Sequence, residues 1–134
     1  MVRRKKERRE VVRVVLADDS AIVVEVLGKF LKNAGSYEVV DTANDGPSAL
    51  ASVEAHKPDL LIMDLQMPLM NGLKVLEELK DQPYRPRIIL ASLHDEPPYR
   101  RAALRSGADA FCSKMNLLND LREAINRLFP ATPV

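Results

Sequence analysis

Five short apolar runs alternate with five segments of helical spacing, and this alternation constrains the fold more than any other feature. The apolar runs span Val11–Ala17, Tyr37–Thr42, Asp59–Met63, Arg87–Ala91 and Ala108–Ser113. The helices are predicted at about 21–34, 45–55, 71–79, 95–107 and 116–129. Strands and helices that alternate at this spacing form parallel βαβ units with right-handed crossovers. The sequence therefore predicts an α/β fold, a doubly wound five-stranded parallel sheet in the order 2-1-3-4-5 with five helices.

The first predicted helix has apolar residues at helical spacing. Ile22, Val26, Leu27, Phe30 and Leu31 are expected on one face, turned towards the sheet. Glycine at the end of this segment is typical of a C-terminal cap.

One domain of this kind accounts for nearly all of the 134 residues, which are too few for two ordinary domains. We place the domain at 11–130, with a basic N-terminal extension at 1–10 and a short tail at 131–134. Residues 1–13 hold seven basic and two acidic residues, a balance of +5, whereas the remaining 13 basic and 17 acidic residues balance at −4. Such an arm could bind nucleic acid or an acidic partner, but it has no aromatic residue to stack on bases, which favours a solvated extension.

The sequence shows neither a membrane segment nor an export signal. Its apolar runs are far shorter than the roughly 20 residues needed to span a bilayer. The N-terminus is charged, and no apolar segment typical of a signal peptide follows it. The single cysteine, Cys112, excludes an intrachain disulfide and lies in an apolar run, so it is expected to be a small buried residue. These features favour a cytoplasmic protein.

Acidic side chains follow two of the predicted strands. Asp18 and Asp19 follow the first strand, and Asp64 follows the third. The switch point of the predicted sheet lies between these two strands, where parallel α/β sheets bind their ligands. Helix capping beside Ser20 accounts for one acid, but not for two acids that face a third. Because three carboxylates repel one another without a cation, we expect Mg²⁺ here, or Mn²⁺ in its place.

A carboxylate at this position can also act as a nucleophile. Asp64 could accept a phosphoryl group and form an acyl phosphate, while the metal neutralises charge that builds up during transfer. Ser92 directly follows the fourth predicted strand and Lys114 directly follows the fifth, so adjacent loops are expected to place both over Asp64. A hydroxyl and an ammonium there would each bind a phosphoryl oxygen. Taken alone, either residue would be an ordinary loop residue.

Four stretches of the sequence carry a resemblance to a known family. They are Leu16–Asp19, Asp64–Gly72, Ala91–Ser92 and Gly107–Lys114. In this order, at the ends of the first, third, fourth and fifth strands, they resemble the motifs of response-regulator receiver domains of two-component signalling. The resemblance covers nearly everything from Val11 to Phe129. It implies a flavodoxin-like fold and a phosphorylation-activated signalling switch, not a turnover enzyme on an external substrate.

The resemblance also implies how the phosphoryl group arrives. Asp64 would accept it from a phosphohistidine of a sensor histidine kinase or a phosphotransfer protein. The domain would support its own phosphotransfer and dephosphorylation. Asp18, Asp19 and Asp64 would hold Mg²⁺ together with the backbone carbonyl of Gln66.

The remaining family positions form a switch. Ser92 and Lys114 fall at the hydroxyl and lysine that sense the phosphate, and Phe111 falls at the aromatic switch position. By this resemblance, Ser92 moves towards the phosphate, Phe111 turns inward, and the face of the fourth helix, fifth strand and fifth helix changes its binding partners. A homodimer could form through that face. From the residues alone, Phe111 is equally well explained as a fixed core aromatic.

Two departures from the family pattern leave points open. Receivers often have a cis proline after the lysine, where this chain has Met115, so the Lys114–Met115 peptide is either trans or strained. A leucine-rich helix after Lys114–Met115 is typical of receivers joined to a helix-turn-helix DNA-binding domain, for which the chain has no room before Val134. We therefore expect a single-domain regulator or a fragment, with nucleic-acid binding only if a DNA-binding domain has been removed. The neighbouring His94 is expected to be a solvated loop residue.

Two other classes of function remain open. A phosphohydrolase with an aspartate nucleophile would need a second acid two residues after the nucleophile, where this chain has Gln66. A receiver-shaped interaction module that is never phosphorylated would be indicated by loss of an acid, of the hydroxyl or of the lysine. None of these side chains is missing.

Overall fold

The computed structural model describes residues 11–134, and the predicted basic extension at 1–10 lies outside them. Its strands are β1 (Val12–Ala17), β2 (Tyr37–Ala43), β3 (Leu60–Asp64), β4 (Arg87–Ser92) and β5 (Ala110–Ser113). Its α-helices are α1 (Ala21–Ala34), α2 (Gly46–His56), α3 (Gly72–Leu79), α4 (Pro97–Arg105) and α5 (Leu117–Leu128), with a 3₁₀ turn at Lys114–Asn116. All strand pairs are parallel, in the order β2-β1-β3-β4-β5. The predicted fold class and strand order are confirmed.

Two hydrophobic clusters, one on each face of the sheet, hold the helices in place. On one face, Val15, Leu61 and Ile88 pack with apolar residues of α2, α3 and α4. On the other, Val14 and Ile62 pack with residues of α1 and α5. Alternate residues of each strand point to opposite faces, and helices cover both faces, so the inner strands β3 and β4 are apolar between their ends. In these two strands only the ends carry polar side chains.

The helices that lead away from the carboxyl ends of β1, β2 and β3 begin at polar caps. Ser20, Asp45 and Asn71 accept hydrogen bonds from the backbone N–H groups three residues further on. Such bonds satisfy N–H groups that have no partner within the helix. At the far end of α1, Gly35 has φ +81°, a conformation in which glycine is not strained. These N-terminal caps determine where each loop ends and the following helix begins.

The predicted inner face of α1 is partly wrong. Ile22 is 76% exposed and Val26 is 39% exposed, whereas Leu27 and Leu31 are buried. A helix on a sheet buries one stripe of side chains, and here that stripe passes through Leu27, Leu31 and Ala34. Ile22 and Val26 lie one turn apart on the side of the helix that turns away from the sheet.

The start of β5 also differs from the prediction, which had it at Ala108. The N–H of Ala108 donates to the carbonyl of Ala103, so this residue still closes the end of α4. Gly107, with φ +108°, makes the turn. The strand begins only at Ala110, because the chain must first leave the helix and reach the sheet.

The last residues of the chain contact the fold. The hydroxyl of Tyr37 donates to the carbonyl of Thr132 at 2.6 Å, and the N–H of Val134 donates to the side chain of Asn126 at 2.7 Å. Thr132 is buried. Residues 131–134, predicted as a tail, therefore lie against β2 and α5. Among the described residues, no helix has the length and apolar character needed to cross a bilayer.

Candidate functional site

The parallel register brings the predicted acids to one edge of the sheet. Ala17 pairs with Met63, so Asp18 and Asp64, each the next residue, lie side by side. Both are buried, whereas Asp19 is exposed. One carboxylate oxygen from each of the three lies within 4.8 Å of the others. The prediction that distant segments bring three carboxylates together is confirmed as geometry.

Lys114 lies between the two buried carboxylates. Its Nζ is 2.8 Å from Asp18 Oδ2 and 3.1 Å from Asp64 Oδ2, and its side chain is only 12% exposed. Burial lowers the pKa of Lys114, but the hydrogen bond to Asp18 and the charges of Asp64 and Asp18 outweigh it, so that the pKa is raised. Lys114 therefore stays charged, and in this state it supplies the positive charge that the pair of carboxylates requires.

Asp64 itself is held in an environment that disfavours its charge. Burial raises its pKa, the N–H of Gln66 and the ammonium of Lys114 lower it, and the charge of Asp18 raises it, with a raised pKa as the net result. Gln66 donates to Asp64 Oδ1 at 3.1 Å. A raised pKa means that the carboxylate gains from any further positive charge brought into the crevice.

This environment predicts that Asp64→Asn makes the metal-free protein more stable. The folded state keeps the Asp64 proton to a higher pH than the unfolded state does, so stability falls as pH rises from the ordinary aspartate pKa through the raised one. Above that window we expect Asp64→Asn to gain on the order of 1 kcal/mol, a common size for one substitution. Urea unfolding in a chelator measures it. At acidic pH, with Asp64 protonated, the difference should vanish. A less stable variant at neutral pH would contradict the assignment.

Gly72, the first residue of α3, packs closely against the end of β3. Its N–H donates to the carbonyl of Leu65 at 2.7 Å. A Cβ at Gly72 would lie 2.9 Å from the carbonyl oxygen of Asp64 and 3.0 Å from Cα of Leu65. Only a residue without a side chain lets α3 start this close to the strand that carries Asp64.

We therefore expect Gly72→Ala to lower stability by about 1–3 kcal/mol, because backbone atoms must move to admit the methyl group. Gly28→Ala is the matched control, since a Cβ there meets nothing within 4 Å. In the middle of α1 that change should be neutral or stabilising by up to about 1 kcal/mol. Thermal unfolding of both variants tests the comparison. Equal effects would show that the close approach at Gly72 is not a constraint.

Ser92 of β4 and Phe111 of β5 are both buried. Asp64 pairs with Ala91, so Ser92 comes one position later on the neighbouring strand. Ser92 is 1% exposed, and its hydroxyl accepts the N–H of His94 at 2.9 Å. Phe111 packs in the cluster shared with α2, α3 and α4, and the guanidinium of Arg100 lies 4.9 Å from its ring centroid. The buried position of Phe111 fits either of its two interpretations.

The structure decides three smaller points. Residues 11–134 contain no cis peptide bond, so the Lys114–Met115 peptide is trans. Cys112 is buried, and burial raises the pKa of its thiol to about 12, in keeping with the small buried residue that we expected. His94 is exposed and stacks on Tyr99, with 5.2 Å between ring centroids.

Sequence reasoning missed one polar contact next to the site. The hydroxyl of Ser113, the residue before Lys114, donates to Asp95 Oδ2 at 2.6 Å. The signal available was weak: Asp95 follows β4 by three residues, Ser113 ends β5, and these strands are neighbours. From the sequence, Asp95 is predicted only as the first residue of the helix at about 95–107, and the structure places it in the loop before Pro97.

Comparison with known proteins assigns this arrangement to a family. The family described as "Response regulator receiver domain" matches residues 14–126. The chain belongs to the response regulator receiver family. "Probable transcriptional regulatory protein NarL" of Mycobacterium tuberculosis is 36% identical to this receiver over 116 residues, covering 87% of this chain and 54% of NarL. "Transcriptional regulatory protein PdtaR" of the same species is 35% identical over 113 residues, covering 84% and 54%. This receiver thus spans about half the length of these relatives.

Solved structures agree with the family. The signal receiver domain of NarL from M. tuberculosis matches this receiver with a TM-score of 0.83 and 35% identity, over 90% of this chain and 98% of that one. A DNA-binding response regulator of the LuxR family from Staphylococcus aureus matches with a TM-score of 0.81 and 25% identity, over 89% and 99%. The predicted resemblance is therefore confirmed. Receivers of this family are in general signalling switches rather than turnover enzymes.

Proposed function

We propose that this receiver is a phosphorylation-activated switch whose Asp64 accepts a phosphoryl group from a phosphohistidine. The observation that carries the proposal is the Lys114 ammonium, shared at 2.8 and 3.1 Å between two buried carboxylates at the carboxyl edge of the sheet. A structural ion pair would need only one carboxylate. Two, with a third acid beside them, make a crevice that can receive a phosphoryl group only when its charge is balanced.

The transfer itself needs one nucleophile and one leaving group. An oxygen of the ionised Asp64 attacks phosphorus, a P–O bond forms, and the P–N bond to the donor's imidazole breaks. The imidazole nitrogen leaves with the electron pair and takes a proton. The Lys114 ammonium stabilises the negative charge that grows on the phosphoryl oxygens, and the buried hydroxyl of Ser92 donates a hydrogen bond to one of them.

The acids also suit Mg²⁺. Three carboxylates within 4.8 Å are a hard oxygen set of the kind that this ion prefers. Asp18, Asp19 and Asp64 would hold it with the backbone carbonyl of Gln66. When bound, the ion supplies positive charge to the phosphoryl oxygens. With Asp18 engaged by the ion, the Lys114 ammonium would be free to contact a phosphoryl oxygen on Asp64.

The output follows from the same contacts. Movement of Ser92 towards a phosphoryl group would shift the loop between β4 and α4, and Phe111 of β5 packs in the same cluster as Ala103 of α4. A two-state surface biased in this way would change the binding of partners at α4, β5 and α5, including a second copy of the receiver. The phosphoryl donor would be a sensor histidine kinase or a phosphotransfer protein. The receiver would act in the cytoplasm.

Intact-mass measurement after incubation with acetyl phosphate and Mg²⁺ tests the proposal. We expect the mass of one phosphoryl group to be added, and none to be added in Asp64→Asn or in a chelator. Acetyl phosphate serves because it carries the same transferable group without requiring a protein partner. No gain with wild-type protein under any donor would contradict the proposal and favour an interaction module that is never phosphorylated.

A further inference from the structure

The loop between β4 and α4 is hydrogen-bonded to the sheet at two points, and only one of them belongs to the proposed switch. At the first point the N–H of His94 donates to the hydroxyl of Ser92 at 2.9 Å. At the second the hydroxyl of Ser113 donates to the carboxylate of Asp95 at 2.6 Å. Leu93, the first residue of the loop, is 63% exposed and therefore contributes little packing. These two hydrogen bonds hold the loop on its sheet side, while the stacking of His94 on Tyr99 joins it to α4.

The second hydrogen bond is strong, and its donor Ser113 is held in place by further hydrogen bonds. A hydroxyl that donates to a carboxylate at this distance forms a charge-assisted hydrogen bond, about twice as strong as a neutral one. Ser113 is 4% exposed, and its own N–H donates to Asp120 of α5 at 2.9 Å. Its hydroxyl also accepts the N–H of Met115 at 3.1 Å. Ser113 is thus held by hydrogen bonds to α5 and to the turn after β5, and it in turn holds Asp95 of the loop.

Ser113 also adjoins the site directly. It precedes Lys114, whose ammonium lies between Asp18 and Asp64. It pairs with Ser92 across the β4–β5 register. The Ser113–Asp95 hydrogen bond therefore joins the β4–α4 loop, which would move when a phosphoryl group appears at Asp64, to the end of β5 next to Lys114.

We propose that the Ser113–Asp95 hydrogen bond holds the β4–α4 loop in its unphosphorylated position and so opposes the movement of Ser92 towards a phosphoryl group. Ser113 and Asp95 are then positioning residues that set how readily the receiver switches. The inference rests on the proposed function, since it concerns regulation of the same site. A bond present in only one of two states shifts the equilibrium towards that state by its full free energy.

Binding of beryllium trifluoride with Mg²⁺, a stable mimic of the phosphoryl group, tests this inference. Ser113→Ala and Asp95→Ala each remove the bond, and Asp95→Ala keeps the contact between the Ser113 hydroxyl and Met115. We expect each variant to bind the mimic about tenfold more tightly than wild type, within the usual range for coupled equilibria. The double variant should gain no more than either single one, because both act through one bond.

Ser52→Ala is the matched control. Ser52 is similarly buried, at 5% exposure, and donates to Asp41 at 2.7 Å, but it joins α2 to β2. This control should bind the mimic as wild type does. Unchanged or weaker binding in Ser113→Ala and Asp95→Ala, or additive effects in the double variant, would overturn the inference while wild-type binding still supports the proposed function.

Hydrogen exchange of the unphosphorylated protein tests the role of the Ser113–Asp95 hydrogen bond independently of the proposed phosphorylation of Asp64. We expect the His94 amide to exchange several-fold faster in Ser113→Ala and Asp95→Ala than in wild type, with Ser52→Ala unchanged, because the loop is released. If wild-type protein fails to bind the mimic, the proposed function fails, and exchange still tests the hold on the loop. Equal exchange in all four proteins would overturn the inference on its own.

Discussion

Lys114→Met is expected to destabilise the metal-free receiver by about 3 kcal/mol, the lower end for removing one partner of a buried ion pair. Methionine keeps most of the length of the side chain but leaves Asp18 and Asp64 facing each other without a cation. Both carboxylates are buried, so water screens their repulsion poorly. Urea unfolding in a chelator measures the loss.

The same variant should respond more strongly to Mg²⁺. In wild type the cation must displace an ammonium that already contacts both acids, whereas in Lys114→Met it meets only carboxylates. We expect tighter Mg²⁺ binding, and about 2.7 kcal/mol of stability restored when the ion is present at 100 times its dissociation constant. Phosphoryl uptake should stay low, because the variant lacks the ammonium that stabilises negative charge on the phosphoryl oxygens.

Lys74→Met is the matched control for Lys114→Met. Lys74 also faces two carboxylates, of Glu77 and Glu78, but its side chain is 50% exposed and the distances are 3.8 and 3.7 Å. Exposed pairs of this kind contribute about 0.2–1 kcal/mol at most. A loss in Lys114→Met no larger than in Lys74→Met would show that the ammonium does not hold the acids together.

Asp18→Asn is expected to lower the rate of phosphoryl uptake by at least about 100-fold. The substitution keeps the shape of the side chain and removes one charge from a set in which hard anionic oxygens are the preferred ligands. With one charge fewer, the site holds Mg²⁺ weakly, and growing charge on the phosphoryl oxygens is less well balanced. The rate with acetyl phosphate, followed by intact mass over a range of Mg²⁺ concentrations, measures the effect.

Raising the Mg²⁺ concentration should partly rescue Asp18→Asn, because the defect is one of binding. Asp81→Asn, at an exposed acid beyond the far end of α3, should react as wild type does. Uptake in Asp18→Asn at the wild-type rate at low Mg²⁺ would exclude Asp18 from the metal site.

The strand ends explain why so much of the site could be predicted from the sequence. In a parallel sheet, the residue after each strand must lie at the same edge, so the positions of Asp18, Asp64 and Lys114 followed from the strand order alone. The ion pairs of Lys114 with Asp18 and Asp64 were not predicted, because the sequence analysis assigned its ammonium to a phosphoryl oxygen. Strand boundaries shifted by a residue or two without moving these side chains.

Two other features, the buried face of α1 and the Ser113–Asp95 contact, could not be predicted from the sequence. The first depends on the rotation of the helix about its axis, and the second on the path of a loop. The inner face of α1 was ambiguous because apolar residues extend around more than one stripe, and only packing selects Leu27 and Leu31 over Ile22. The Ser113–Asp95 contact depends on the path of a loop that carries few apolar side chains. Short polar side chains in loops have many alternative partners, and spacing along the chain does not select among them.

The central claim is that Asp64 itself carries the phosphoryl group, and locating the group on the chain tests this most directly. An acyl phosphate on aspartate is reduced by borohydride to homoserine, a permanent mark that peptide mass spectrometry can place. After acetyl phosphate, Mg²⁺ and borohydride, we expect homoserine at position 64 and unmodified aspartate at positions 18 and 19. Homoserine at another position, or at none while the intact mass shows uptake, would contradict the account.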